Sequence, residues 1–253
     1  MGRRKSHGSS KSKQHVTHQR QLSLAKRNEI NALCEKLFVC EYAFHTALSI
    51  NSAYVTQLWD NYVEISTILE KVKRLEEMKT ESPKRSQGIG QFINWLKENG
   101  ANLDGASVAE FPGYDLGLKA ERNFQENELI LRIPRGLIFS THNAAPELIA
   151  ILNDPLIQHM PQVALAIALL IERHKENSKW KPYLDILPTT YMTVLYMTAA
   201  DMIELKGSPT LEAALKQCRN IARQYSYFNK VFQNNNNAVS AILRDVFTYE
   251  RYW

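Results

Sequence analysis

An α+β chain, mostly helical with one small β element, is predicted by three observations on the 253-residue sequence. Apolar residues recur at helical spacing through residues 30–48, 58–72, 163–173 and 211–232. Between residues 107 and 139 the period shortens to two, in short stretches separated by turn residues. Composition is that of an ordinary globular protein, 44% apolar and 23% charged, and the length allows a sizeable core.

The chain opens on a basic tail. Eight basic residues (Arg3, Arg4, Lys5, Lys11, Lys13, Arg20, Lys26 and Arg27) precede the first acid, Glu29. They account for more than the whole net charge of +5, so the rest of the chain is mildly acidic. With Ser and Gln abundant and large apolar residues nearly absent, residues 1–22 cannot offset their ordering entropy and are predicted to be disordered. A solubilising tail that weakly attracts polyanions fits better than a reader of nucleic-acid sequence. Met1-Gly2-Arg3-Arg4-Lys5-Ser6 meets only the loose pattern for myristoylation.

Residues 23–80 read as a helical hairpin that leans on another part of the fold. Ser23 caps its first helix, whose face carries Ile30, Leu33, Leu37, Phe44 and Leu48. The second face carries Leu58, Tyr62, Ile65, Leu69 and Val72, and Glu70, Lys71, Lys73, Arg74, Glu76 and Glu77 are expected at a solvated end. Ser82-Pro83 breaks the pattern. Phe92, Ile93 and Leu96 then make a short helix that Gly100 ends, and Gly88-Ile89-Gly90 is a loop hinge before it.

Strands are predicted at residues 108–111, 116–120 and 128–133. In the last, Leu129, Leu131 and Ile133 share one face and Ile130 and Arg132 the other. From residue 141 to 246 the chain is nearly all helical, clearest at 147–152, 163–173 and 211–232. The last stretch aligns Leu211, Leu215, Cys218, Ala222, Tyr225, Phe228 and Phe232 as a core stripe. At residues 247–253, Thr248 caps the start of one more helix with Glu250 in its first turn. Tyr249, Tyr252 and Trp253 are then expected as an exposed aromatic cluster, and the chain as an incomplete domain.

Much familiar chemistry is missing from the sequence. It holds no G-x-S-x-G, P-loop, H-E-x-x-H or G-x-G-x-x-G. Cys34, Cys40 and Cys218 form no C-x-x-C and have no His at ligand spacing, so no metal site is expected and the thiols read as reduced. His45, His142, His159 and His174 are scattered, each better read as a surface or satisfied core residue than as a catalyst. The longest apolar run, residues 163–171, is too short to span a bilayer.

Six short words in a fixed order carry more. They are Asn99-Gly100-Ala101, Gly117-Leu118-Lys119-Ala120, Glu128-Leu129-Ile130-Leu131-Arg132-Ile133-Pro134, Trp180-Lys181-Pro182-Tyr183, Leu187-Pro188 and Ala222-Arg223-Gln224-Tyr225. In that order, residues 84–253 resemble the first half of a SET-domain protein methyltransferase of the branch with a long helical insertion. Phe247-Thr248-Tyr249-Glu250 extends the likeness to that branch's actin-histidine N-methyltransferases. The resemblance implies the N-terminal part of a SET domain at 84–140 and the insertion at 141–246.

The resemblance also implies S-adenosyl-L-methionine as cofactor, bound without a Rossmann fingerprint. Its site would include Arg85 and the loop Tyr114-Asp115-Leu116, which cradles the methionine end through backbone groups. Where Asp115 and Leu116 stand, the family more often has a glycine and an aromatic. The family's catalytic groups lie in an Asn-His segment and a later Tyr segment, beyond Trp253, so no residue of this chain is named catalytic and the chain alone is expected to be inactive. Actin is the implied protein substrate and the complete protein is expected to be a monomer; three cysteines without a signal peptide point to the cytoplasm, with the nucleus second. A lysine methyltransferase of the same branch and a truncated, non-catalytic protein-binding module are the alternatives. Reading the coding sequence past Trp253 separates the last from the others.

Overall fold

A computed structural model describes residues 22–42, 52–76, 84–141, 155–189, 191–236 and 238–252. The expectations for the tail before Leu22, for Phe44, Leu48, Glu77 and Trp253, and for a helix at 147–152 lie outside these residues. The helices, in order, are α1 (Leu24–Tyr42), α2 (Ser52–Glu76), α3 (Ile89–Glu98), α4 (Pro155–Gln158), α5 (Pro161–His174), α6 (Lys181–Leu184), α7 (Ala199–Ile203), α8 (Pro209–Asn234), α9 (Ala238–Val246) and α10 (Tyr249–Tyr252). Strands β1 (Ala106–Phe111) and β2 (Asp115–Ala120) lie between α3 and α4.

Helix α1 begins where the Ser23 hydroxyl accepts from the Lys26 N–H at 3.3 Å. It buries Ile30, Leu33, Cys34 and Leu37. Helix α2 buries the expected Leu58, Tyr62, Ile65, Leu69 and Val72. Both pack against α8, whose whole predicted stripe from Leu211 to Phe232 is buried. The main core therefore joins α1 and α2 to α4, α5, α8, α9 and α10 in one apolar cluster. A smaller cluster sets Leu58 and Tyr62 of α2 against Met202 of α7 and the start of α8. Arg27 ties α1 to α9 through Asp245 at 2.6 Å.

The β element stands outside both clusters. Strands β1 and β2 pair antiparallel, with Phe111 opposite Asp115 and Ala106 opposite Ala120. Gly113, at φ +79°, makes the turn between them. No residue of either strand is fully buried, and Leu118 is 59% exposed. Helix α3 ends in a left-handed glycine, Gly100 at φ +85°, with the Ala101 N–H donating to the Leu96 carbonyl at 3.0 Å. The chain then passes to Gly105, whose φ of +82° favours glycine and where a Cβ would push the Arg122 side chain aside.

Five expectations are corrected. Residues 128–133 are not a strand among the described residues. They contribute one bridge, Asn102 to Arg132, with both N–H···O distances 2.9 Å. Leu129 and Ile130 are both largely exposed, so the alternation does not separate a buried face there. Glu76 leaves the solvated end of α2 and is only 7% exposed. Tyr249 and Tyr252 are buried, not an exposed cluster, because they pack on Tyr225, Phe228 and Phe247. Thr248 does start α10, but through its carbonyl, which accepts from the Arg251 and Tyr252 N–H groups; its buried hydroxyl has no partner among the described residues. Lastly, Asp115 and Leu116 open β2 rather than lying in a loop, which leaves Tyr114 alone in the turn.

Two cysteines are buried, Cys34 in the main cluster and Cys218 in the smaller one. Cys34 is 3% and Cys218 8% exposed, and burial pushes their thiols up to about 12 and about 11. The thiolate is the nucleophile, so iodoacetamide at pH 8 should label both at least tenfold more slowly in the native state than in urea. Peptide mass spectrometry reads the rates, and equal rates in the two states would show that the α1–α8 contact opens readily.

Candidate functional site

Arg85 opens a short 3-10 turn, Arg85–Gly88, just ahead of α3. Its guanidinium is held from two sides. Nε donates to the Ile186 carbonyl at 2.7 Å, and Nη1 donates to the Asp115 carboxylate in a short ion pair. The arginine side chain is 23% exposed and the aspartate 56%. Asp115 sits at φ +59°, in the left-handed region that aspartate tolerates better than most residues. Tyr114 precedes it at the turn, 87% exposed, and Leu116 follows, half-buried opposite Glu110.

Two of the four residues singled out from sequence, Arg85 and Asp115, are thus in direct contact, and Tyr114 and Leu116 flank the contact along the chain. Sequence reasoning missed the third party, the Ile186 carbonyl. The signal for it was present in the neighbouring words Trp180-Lys181-Pro182-Tyr183 and Leu187-Pro188. Trp180, 1% exposed, packs its ring against Trp95 of α3, Phe139 and Tyr183 at centroid distances of 5.7, 5.1 and 6.3 Å. This aromatic knot fixes α6 against α3 and so brings residue 186 beside Arg85. Gly88 helps, since a Cβ there would lie 3.0 Å from Ile186 Cγ2.

A second polar cluster lies inside the helical body. Glu76 accepts from the Tyr225 hydroxyl at 2.6 Å and from the Tyr249 N–H at 2.9 Å. Burial raises its carboxyl to about 7 despite these two donors. Nearby, His174 Nδ1 lies 2.7 Å from the Leu170 carbonyl and Nε2 lies 2.9 Å from Arg251 Nη1. A carbonyl only accepts and a guanidinium only donates, so Nδ1 carries the proton and the ring is neutral. Burial, with the nearby Arg251 and Arg173 charges, holds His174 below the usual histidine range. The ring therefore positions Arg251 on the wall of a cleft of about 1360 Å³, which Tyr62, Lys73, Arg173 and Tyr196 also line. No group of His, Cys, Asp and Glu fit to hold a metal occurs among the described residues, and no described helix is long and apolar enough to cross a membrane.

In chain order the small antiparallel hairpin lies between α3 and the helices from α4 onward, as the resemblance to the SET domain leads one to expect. Solved structures agree. The chain superposes on the SET domain of LSMT bound to lysine and AdoHcy with a TM-score of 0.55 and 23% identity, covering 67% of this chain and 37% of that one. Rubisco LSMT bound to AdoMet gives a TM-score of 0.54 at 22% identity, over 65% and 38% of the two chains. In sequence, the chain is 35% identical over 198 residues to the actin-histidine N-methyltransferase of Homo sapiens, covering 77% of this chain and 33% of that protein. The enzyme of the same name from Xenopus tropicalis is 36% identical over 198 residues, covering 34% of its length. No protein-family model matches. The chain thus has the fold of the SET domain and is similar in sequence to the actin-histidine N-methyltransferases. It spans about one third of the length of the curated relatives it matches.

Proposed function

We propose that this chain forms part of an S-adenosylmethionine-dependent protein N-methyltransferase that acts on a histidine of actin. The observation that supports this best is the 35% identity, over 77% of the chain, to enzymes of that name. Arg85 and the Tyr114-Asp115-Leu116 stretch are proposed as one wall of the cofactor site. The chemistry fits, because one terminal nitrogen of Arg85 already carries a carboxylate in this fold, and a cofactor with an amino-acid end presents the same group. When bound, the cofactor supplies a sulfonium methyl for in-line transfer to a neutral nitrogen.

The residues of this chain would act by positioning. The Ile186 carbonyl fixes Arg85 Nε, so the edge toward a ligand is that of the terminal nitrogens, of which Nη1 is paired with Asp115. The Trp180 knot fixes Ile186, and the β hairpin carries the opposing backbone. Such preorganisation is what a transfer between two bound groups requires. Four residues on one wall give few converging contacts, so binding by residues 1–253 alone is expected to be weak. A cytoplasmic location, with the nucleus second, and a monomeric state are proposed with this function.

Incubating the protein, expressed from its full reading frame, with actin and methyl-labelled S-adenosylmethionine should label one actin histidine, located by peptide mass spectrometry. Arg85→Ala should raise the apparent KM for the cofactor about tenfold or more, the loss of one charge-assisted contact. Label on a lysine instead would select the lysine reading of the same family. Cofactor binding with no labelled actin would select the non-catalytic binding module.

A further inference from the structure

We propose that Asp115 is a built-in competitor for the ligand carboxylate at Arg85, and that it sets the affinity of the site by having to be displaced. This rests on the reading that Arg85 receives the cofactor's carboxylate. Three observations carry it.

The first is which edge of the guanidinium remains free. Carboxylates bind arginine best through two parallel N–H bonds. The edge that includes Nε is spent on the Ile186 carbonyl. The pair of terminal nitrogens is the remaining edge, and Asp115 occupies one of them, Nη1. An incoming carboxylate that takes both terminal nitrogens must move Asp115 aside.

The second is which partner yields. Arg85 is anchored by a backbone carbonyl and is mostly covered, whereas Asp115 is 56% exposed and rotates into water at little cost. Exposed ion pairs are weak, so the barrier tunes affinity rather than blocking the site.

The third is the backbone that carries Asp115. Its φ of +59° suits glycine or asparagine at least as well as aspartate, so this position does not demand a carboxylate for its conformation. The turn before it is uncrowded. Nothing lies within 4 Å of a Cβ built on Gly113, and Tyr114 stands in solvent. The carboxylate at Asp115 is therefore accounted for by its contact with Arg85 and not by the turn.

Calorimetric titration of S-adenosylhomocysteine and of 5′-methylthioadenosine, which lacks the amino-acid end, tests this on the protein expressed from its full reading frame. Asp115→Asn keeps the left-handed backbone and removes the charge. It should tighten S-adenosylhomocysteine about three- to tenfold and leave methylthioadenosine unchanged. Binding that becomes measurable only in Asp115→Asn supports the proposal equally. If Arg85→Ala weakens S-adenosylhomocysteine but Asp115→Asn leaves it unchanged or weakens it, Asp115 is a support for Arg85 and the competition is overturned while the arginine reading stands. If Arg85→Ala changes nothing, the arginine reading fails and the proposal fails with it. Tightening of both ligands alike in Asp115→Asn would also overturn it, since the effect would not depend on a carboxylate.

Discussion

Between pH 4.5 and pH 7 Glu76 should withdraw about 3 kcal/mol from the stability of the folded protein, and Glu76→Gln should abolish that contribution. The sign follows from where the proton sits. Unfolded, Glu76 ionises near its ordinary value of 4.5; folded, burial raises it to about 7. Below 4.5 both states hold the proton and no penalty exists. As pH rises through that window the unfolded chain releases its proton while the native state keeps it, so stability falls. Above 7 both are ionised and Glu76 adds no further slope. Glutamine has no proton to lose and still serves both neighbours, its carbonyl accepting from the Tyr249 N–H and its NH2 donating to the Tyr225 oxygen. Glu76→Ala removes the acceptor that the buried Tyr225 hydroxyl and Tyr249 N–H share and should cost about 2–4 kcal/mol at pH 5. Urea denaturation followed by circular dichroism at pH 5 and pH 8 reads all three. Parallel pH dependences for wild type and Glu76→Gln would show that Glu76 is solvated in the folded protein.

Trp180→Ala should destabilise the protein by about 3–5 kcal/mol, the cost of emptying a buried aromatic site. The residue is 1% exposed and touches rings from α3, from residue 139 and from α6. Trp180→Phe should cost much less, about 1–2 kcal/mol, because it keeps a ring in place. The indole N–H it removes has no partner among the described residues. Denaturant midpoints of the two variants decide this. Equal destabilisation would mean that the N–H is held by a group essential to the site. The alanine variant should also loosen Arg85, since the carbonyl that fixes Nε lies only six residues further on.

The helical body was largely legible in the sequence. The α8 stripe from Leu211 to Phe232, the α2 face from Leu58 to Val72 and the Ser23 cap are all found where the residues predict them. Each is a local pattern that repeats every turn or sits at one helix end. Glu76 was not legible, since a glutamate at the end of a charged run looks the same whether it meets water or a tyrosine hydroxyl from residue 225. Residues 128–133 alternate as a strand should, yet a strand needs a partner along its length, and the described chain offers only Asn102. The pairing of Arg85 with Asp115 joins residues 30 apart, and that with Ile186 residues 101 apart, beyond the reach of any periodicity.

Taken alone, then, the sequence determined the α+β class, the helices with their buried faces, the β1–β2 hairpin and the family likeness, because side-chain period, capping and glycine turns act over a few residues and need no distant partner. Tertiary structure alone decided which charges are buried, why Tyr249 and Tyr252 lie in the core, and which groups hold Arg85. Those outcomes depend on desolvation and on contacts between segments that only the packed chain brings within hydrogen-bond distance: Tyr249 donates to a carboxylate 173 residues earlier, and α6 delivers a carbonyl to an arginine ahead of α3.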